Sequence, residues 1–142
     1  MKEPFTILIT DRNRHVREFL KREMVAEGYQ VKLAKSGREI MKLVFSQGHL
    51  DLVILDLDLP DAGELDILER LQDRIPVLPV VVHTFLPEYF ISSAAFVEKS
   101  GTNIDRLKEV VFDILRKSYP KRFEPWMRTE PQVGEQSGCK KR

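Results

Sequence analysis

Residues 51–61 read DLVILDLDLPD. Leu52–Leu55 is a continuous apolar run, too short for a helix and without polar alternation, which is the pattern of a strand buried on both faces. The strand is read over Leu52–Leu57, and Asp56 stands where it delivers its carboxyl end. A carboxylate in that position costs desolvation free energy unless a partner compensates for it.

The segments on either side repeat one alternation. Phe5–Thr10 (FTILIT) is a second β-branched run. Val16, Phe19, Leu20 and Met24 then form one helical stripe that ends at Gly28. Tyr29, Val31 and Leu33 alternate as a strand. Ser36 followed by Glu39 has the spacing of a capping box, and the helix it opens carries Ile40, Met41, Val44 and Phe45 before stopping near Gly48. Beyond the central stretch, Leu65, Leu68 and Leu71 stripe a third helix. Pro76 and Pro79 bracket the approach to a strand over Val80–His83, and a short fifth strand covers Ala95–Glu98. A last helix from near Thr102 carries Ile104, Leu107, Val110, Val111, Ile114 and Leu115. Strands alternating with helices five times argue for an α/β fold, a parallel sheet with helices on both faces. In such sheets chemistry sits at the carboxyl ends of the strands.

Those ends are Asp11, Asp56, Thr84 and Lys99, at intervals of 45, 28 and 15 residues. Two carboxylates, a hydroxyl and an ammonium on one sheet edge suit phosphoryl transfer. One carboxylate serves as nucleophile, the other holds a cation, and the hydroxyl and ammonium donate to phosphoryl oxygens. Singly, each residue has an ordinary explanation. Asp11 reads as a helix N-cap, Thr84 as a turn hydroxyl and Lys99 as a surface lysine. The ordered set is what carries the argument.

That set resembles the receiver domain of two-component response regulators over roughly residues 5–117. ILITD followed by Arg17 and Leu20, DLVILDLDLPD with Pro60 four residues after Asp56, PVVVHT ending at Thr84 and FVEKS carrying Lys99 fall in the family's order. The resemblance implies a flavodoxin-like doubly wound five-stranded sheet of order 2-1-3-4-5, with a receiver domain over 1–118. It implies a phosphoryl group taken on Asp56 from a histidine kinase or phosphotransfer protein. Thr84 and Phe96 then act as the switch and Lys99 as the phosphate-contacting cation. Mg²⁺ would be held by Asp11, Asp56 and the backbone carbonyl of Asp58, whose side chain is a further candidate. The output is a surface change read by a downstream protein.

Four features depart from the family. Arg12 stands where a second acidic residue usually follows the first, so Asp11, Arg12 and Asp56 sum to −1 where three acids give −3. An arginine about 4 Å from a carboxylate interacts by about 4 kcal/mol at an effective dielectric near 20, so Mg²⁺ binding is expected to weaken. The Arg12 guanidinium either swings to solvent or takes the metal's place as a phosphate clamp. Only 14 residues separate Thr84 from Lys99. The fourth helix is therefore shortened, with Pro87 tolerated at its first position, and a different partner or homodimer mode follows. Ser100 stands where a proline is usual, which favours a trans peptide. Glu64 replaces a common glycine.

Composition closes off other classes. Of 142 residues 42% are apolar and 32% charged, with a net charge of +1, which gives no electrostatic case for direct nucleic-acid binding. No run is long enough to cross a membrane, and no signal peptide is read. With the single cysteine, Cys139, this gives a cytoplasmic expectation. Residues 119–142 read as a flexible, Pro-containing basic tail in which Trp126 and Met127 are exposed. His15, His49 and His83 make no metal set, and His83 reads as core or rim. Arg14, Arg17, Lys21 and Arg22 make the first helix basic, a solvated face or a docking edge for an acidic partner. Two further functions compete with the stand-alone phosphorelay receiver, itself a signalling domain and not an enzyme. One is a degenerate receiver that binds a partner without phosphorylation, favoured by Arg12. The other is a haloacid-dehalogenase-type phosphatase, suggested by the spacing of Asp56 and Asp58 but opposed by Leu59-Pro60 and by the lack of an acidic pair after Lys99.

Overall fold

A computed structural model of the chain describes residues 4–46, 48–61, 67–74, 76–84, 95–99 and 104–122. Its strands are β1 (Thr6–Thr10), β2 (Gln30–Ala34), β3 (Leu52–Leu55), β4 (Val80–Thr84) and β5 (Ala95–Glu98). Its helices of five or more residues are α1 (Arg14–Ala26), α2 (Gly37–Val44), α3 (Ile67–Leu71) and α4 (Ile104–Ser118). All strand pairs are parallel, and the order is β2-β1-β3-β4-β5, as the resemblance implied. β3 is the middle strand.

Successive residues of each inner strand enter opposite cores. Ile7, Ile9, Leu52, Ile54, Val81 and Val97 pack with Leu20 and Met24 of α1 and Leu107, Val111 and Leu115 of α4. Leu8, Val53 and Leu55 pack with Ile40 and Val44 of α2 and Ile67 and Leu71 of α3. Apolar side chains on both faces explain why β1 and β3 read as unbroken hydrophobic runs. The stripe on α4 is packed as read: three residues are buried, while Ile104, Val110 and Ile114 line the rim. Phe19 and Phe45, placed on the apolar stripes of α1 and α2, are instead 38% and 51% exposed. Phe19 lies at the stripe's edge, beneath the Arg22 guanidinium.

Local signals set the helix ends. Gly28 has φ 100°, and Gly28 N donates to Val25 O (2.9 Å) while Tyr29 N donates to Met24 O (3.2 Å). This is a Schellman ending that favours glycine. Ser36 Oγ accepts from Glu39 N (3.2 Å), as a capping box requires, but Glu39 reaches back to Lys35 N (2.8 Å) and not to the Ser36 amide. The cap of α1 is Asn13, which accepts from His15 N and Val16 N. The N-cap reading of Asp11 is therefore corrected: Asp11 lies two residues too early, and its Oδ1 accepts from Asn13 N at 2.9 Å.

At the amino end of the sheet Asp51 is 1% exposed. It accepts from Thr6 N (2.8 Å), lies 3.1 Å from His49 Nε2 and pairs with Arg122. Tyr119 Oη donates to its carbonyl (2.7 Å), and Arg122 stacks over Phe5 with 4.4 Å to the ring centre. Residues 119–122, assigned to the tail from sequence, thus pack against the domain, with 120–122 helical. The shortened helix expected after Thr84, Glu64, Ser100, Trp126, Met127 and Cys139 lie outside the described residues. Among the described residues no helix is long and apolar enough to cross a membrane.

Candidate functional site

Three of the four strand-end residues meet. Lys99 Nζ lies 2.8 Å from Asp11 Oδ2 and 3.0 Å from Asp56 Oδ1. Asp11 is 1% exposed and Asp56 is fully buried. The ammonium bridges the two carboxylates, which is the compensation that the sequence around Asp56 demanded.

Backbone donors complete the coordination of Asp56. Oδ1 also accepts from Asp58 N (2.9 Å) and Oδ2 from Arg12 N (3.2 Å). The bond from Asp58 N closes an Asx-type turn, with Leu59 N donating to Asp56 O at 3.4 Å. That turn ends β3 at Leu55, two residues before the strand end read from sequence. Thr10, wholly buried, ties the start of the turn to β1: its Oγ1 donates to Ile54 O (3.0 Å) and accepts from Asp56 N (2.9 Å). Arg17 Nη1 donates to Asp11 O at 2.7 Å.

Burial pushes the Asp56 pKa up, while the Asp58 amide and Lys99 hold it down and Asp11 adds to the rise. The carboxylate therefore meets two opposing demands: an environment that penalises its charge and donors that favour it. His83, buried on β4 opposite Val97 of β5, has its pKa pushed down to about 4, by burial first and by Lys99 next. It is neutral at pH 7, in agreement with its reading as a core residue.

Arg12 is exposed, so its guanidinium does not compete with Lys99 for the buried carboxylates. Thr84 closes β4 in register with Glu98, and Phe96 pairs with Val82. Their side chains lie outside the described set. Among the described residues no three His, Cys, Asp or Glu side chains cluster as metal ligands. Asp58, half-buried, contributes its amide to the site but forms no third carboxylate of such a cluster.

Sequence reasoning passed over two residues that shape this pocket, Thr10 and Arg17 as a donor to Asp11. A threonine closing an apolar strand beside an aspartate was the available signal for the first. It also passed over Asp61, whose carboxylate accepts from Gly37 N (2.7 Å) and Arg38 N (3.2 Å) and so ties the turn after β3 to the amino end of α2.

Comparison with known proteins places these features. The model of the response regulator receiver domain matches residues 7–114. The response regulator MprA of Mycolicibacterium vanbaalenii is 38% identical over 81 residues, 57% of this chain and 35% of MprA. The chain thus spans about a third of the length of that curated relative. The response regulator TrrA of Thermotoga maritima, solved in complex with Mg²⁺-BeF, is 32% identical, with a TM-score of 0.69 over 80% of this chain and 99% of that one. A complex of the histidine kinase ThkA with TrrA matches with 33% identity and a TM-score of 0.68 over 81% and 99% of the two chains.

Proposed function

This chain belongs to the response regulator receiver domain family, a family of signalling domains, and on that premise we propose that it takes a phosphoryl group on Asp56 from a histidine kinase or phosphotransfer protein. The observation that carries this reading is the buried Asp56 carboxylate on the middle strand, 3.0 Å from the Lys99 ammonium and met by the Arg12 and Asp58 amides. A carboxylate oxygen attacks phosphorus, and the bond from phosphorus to the donor's leaving group breaks. The amides and the ammonium then face the charge that develops on the phosphoryl oxygens, with no reorganisation needed at the moment of transfer. Asp11 holds Lys99 in place from the other side.

Thr84 and Phe96, on adjacent strands, transmit the change to the surface that a downstream protein reads. The family match leaves the phosphatase alternative without support. Intact-mass measurement after incubation with a phosphorylated histidine kinase tests the proposal. A gain of one phosphoryl group, lost in Asp56→Asn, is expected. A gain that survives Asp56→Asn would overturn it.

A further inference from the structure

TrrA was solved with Mg²⁺-BeF, yet the pocket of this chain fits a divalent cation poorly. Three of the four carboxylate oxygens of Asp11 and Asp56 accept a backbone hydrogen bond, and the fourth, Asp11 Oδ2, accepts none among the described residues but lies 2.8 Å from the Lys99 ammonium. Asn13 N and Lys99 reach Asp11, while Lys99, Asp58 N and Arg12 N reach Asp56. The ammonium lies between the two carboxylates, where a dication would have to gather them. No third acidic or imidazole ligand joins them among the described residues. Mg²⁺ sheds its water reluctantly and is held largely by carboxylate charge, and Asp11, Asp56 and Lys99 leave a net charge of only −1, so the pocket has little to offer it.

We propose that this pocket accepts its phosphoryl group without a divalent cation, the Arg12 guanidinium supplying the charge a metal would bring. The inference rests on the phosphoacceptor reading of Asp56. A formal charge balance supports it. With a dianionic phosphoryl group on Asp56, the charges of that group, Asp11, Lys99 and Arg12 total −1. A pocket with a second acid in place of Arg12 reaches the same total only after taking up a dication. Asp58 is half exposed to solvent and is left out of both balances.

Arg12 is placed for the task. Its own amide touches Asp56 Oδ2, and its side chain is exposed and free to swing without breaking the buried ion pairs. A guanidinium also matches two phosphoryl oxygens at once, which an ammonium does not. With an acyl phosphate as donor, an Asp56 oxygen bonds to phosphorus, the bond from phosphorus to the acyl oxygen breaks, and the carboxylate leaves with the bonding pair. Charge is conserved and no proton is transferred.

The test uses the full chain and acetyl phosphate, followed by intact mass in excess chelator and in excess Mg²⁺, with calorimetric titration of Mg²⁺ as a second readout. Labelling of Asp56 at rates within about twofold in the two conditions is expected, whereas a metal doing this job would be missed by about a hundredfold. Arg12→Ala should lower the chelator rate about tenfold, with partial recovery in Arg12→Lys. Arg12→Asp should gain Mg²⁺ binding that the parent chain lacks. Labelling that collapses in chelator, or Mg²⁺ binding by the parent chain as strong as by Arg12→Asp, would overturn the inference and leave the receiver function standing. An absence of labelling in both conditions and in Arg12→Asp would overturn the phosphoacceptor reading, and this inference with it.

Discussion

Replacing His83 with leucine should remove an acid-sensitive fault from the core. The imidazole is 7% exposed, and its Nδ1 has no hydrogen-bond partner among the described residues. The charged groups acting on it are Lys99 at the end of β5, which opposes protonation, and Asp11 at the end of β1, which favours it; burial outweighs both and brings the pKa down to about 4 from 6.5. Between these values the unfolded chain binds more protons than the folded one. Stability therefore rises with pH from about 4 to about 6.5 and is flat above that range. At about 1.4 kcal/mol per pKa unit the whole gap corresponds to about 3 kcal/mol, of which about 2 kcal/mol is lost between about pH 7.5 and about pH 5. Asp56, with its raised pKa, titrates with the opposite sign: its contribution is full below 3.8 and fades as pH climbs through the folded value. Because Asp56 is present in both proteins, the difference between them isolates the histidine. Urea unfolding across this pH range should show His83→Leu within about 1 kcal/mol of the parent near neutrality, since no Nδ1 hydrogen bond is lost. Near pH 5 the variant should be the more stable protein by about 2 kcal/mol relative to that baseline. Parallel stability curves for the two proteins would refute the reasoning.

Other consequences are open to the same assay. Arg122→Met leaves the buried Asp51 carboxylate with only Thr6 N and His49, and should cost about 2 kcal/mol. The control Lys108→Met removes solvent-screened surface ion pairs with Glu23 and Glu27 and should leave the urea midpoint close to that of the parent. Asn13→Ala removes the acceptor for two amides at the start of α1, for an expected loss of about 1 kcal/mol. Gly28→Ala forces a side chain into φ 100° and should cost about 1–2 kcal/mol, visible as a lower urea midpoint with an unchanged slope.

The sequence was most readable where one side chain answers to one local rule. Ile7, Leu8 and Ile9 announce a strand covered on both faces, and such strands place Asp11, Asp56 and Lys99 on a common edge before any contact is known. The cap reading that Asp11 invites when taken singly fails because aspartate and asparagine are both good caps, and only the path of the chain after β1 decides between Asp11 and Asn13. The Asp51 cluster was missed for a different reason. Its partner Arg122 lies 71 residues away in a stretch without apolar periodicity, so neither residue carries a pattern that points to the other. Thr10 carried a local signal, a threonine closing an apolar strand beside an aspartate, but its bonds to Ile54 and Asp56 depend on strand pairing.

The contacts of Arg122 also bear on how the domain can be rewired. Its Nη2 lies 3.4 Å from the carbonyl of Pro4, so the two ends of the described chain meet within one side chain's reach. In a chain trimmed to residues 4–122, a short glycine-rich bridge would close that gap and turn the fold into a ring, which makes circular permutation of that part feasible. The ring can then be cut elsewhere, for instance at the exposed Pro76–Val77 step before β4. Such a permutant would carry a fluorescent reporter at the new cut, while the strand ends that build the pocket stay joined to the turns that follow them.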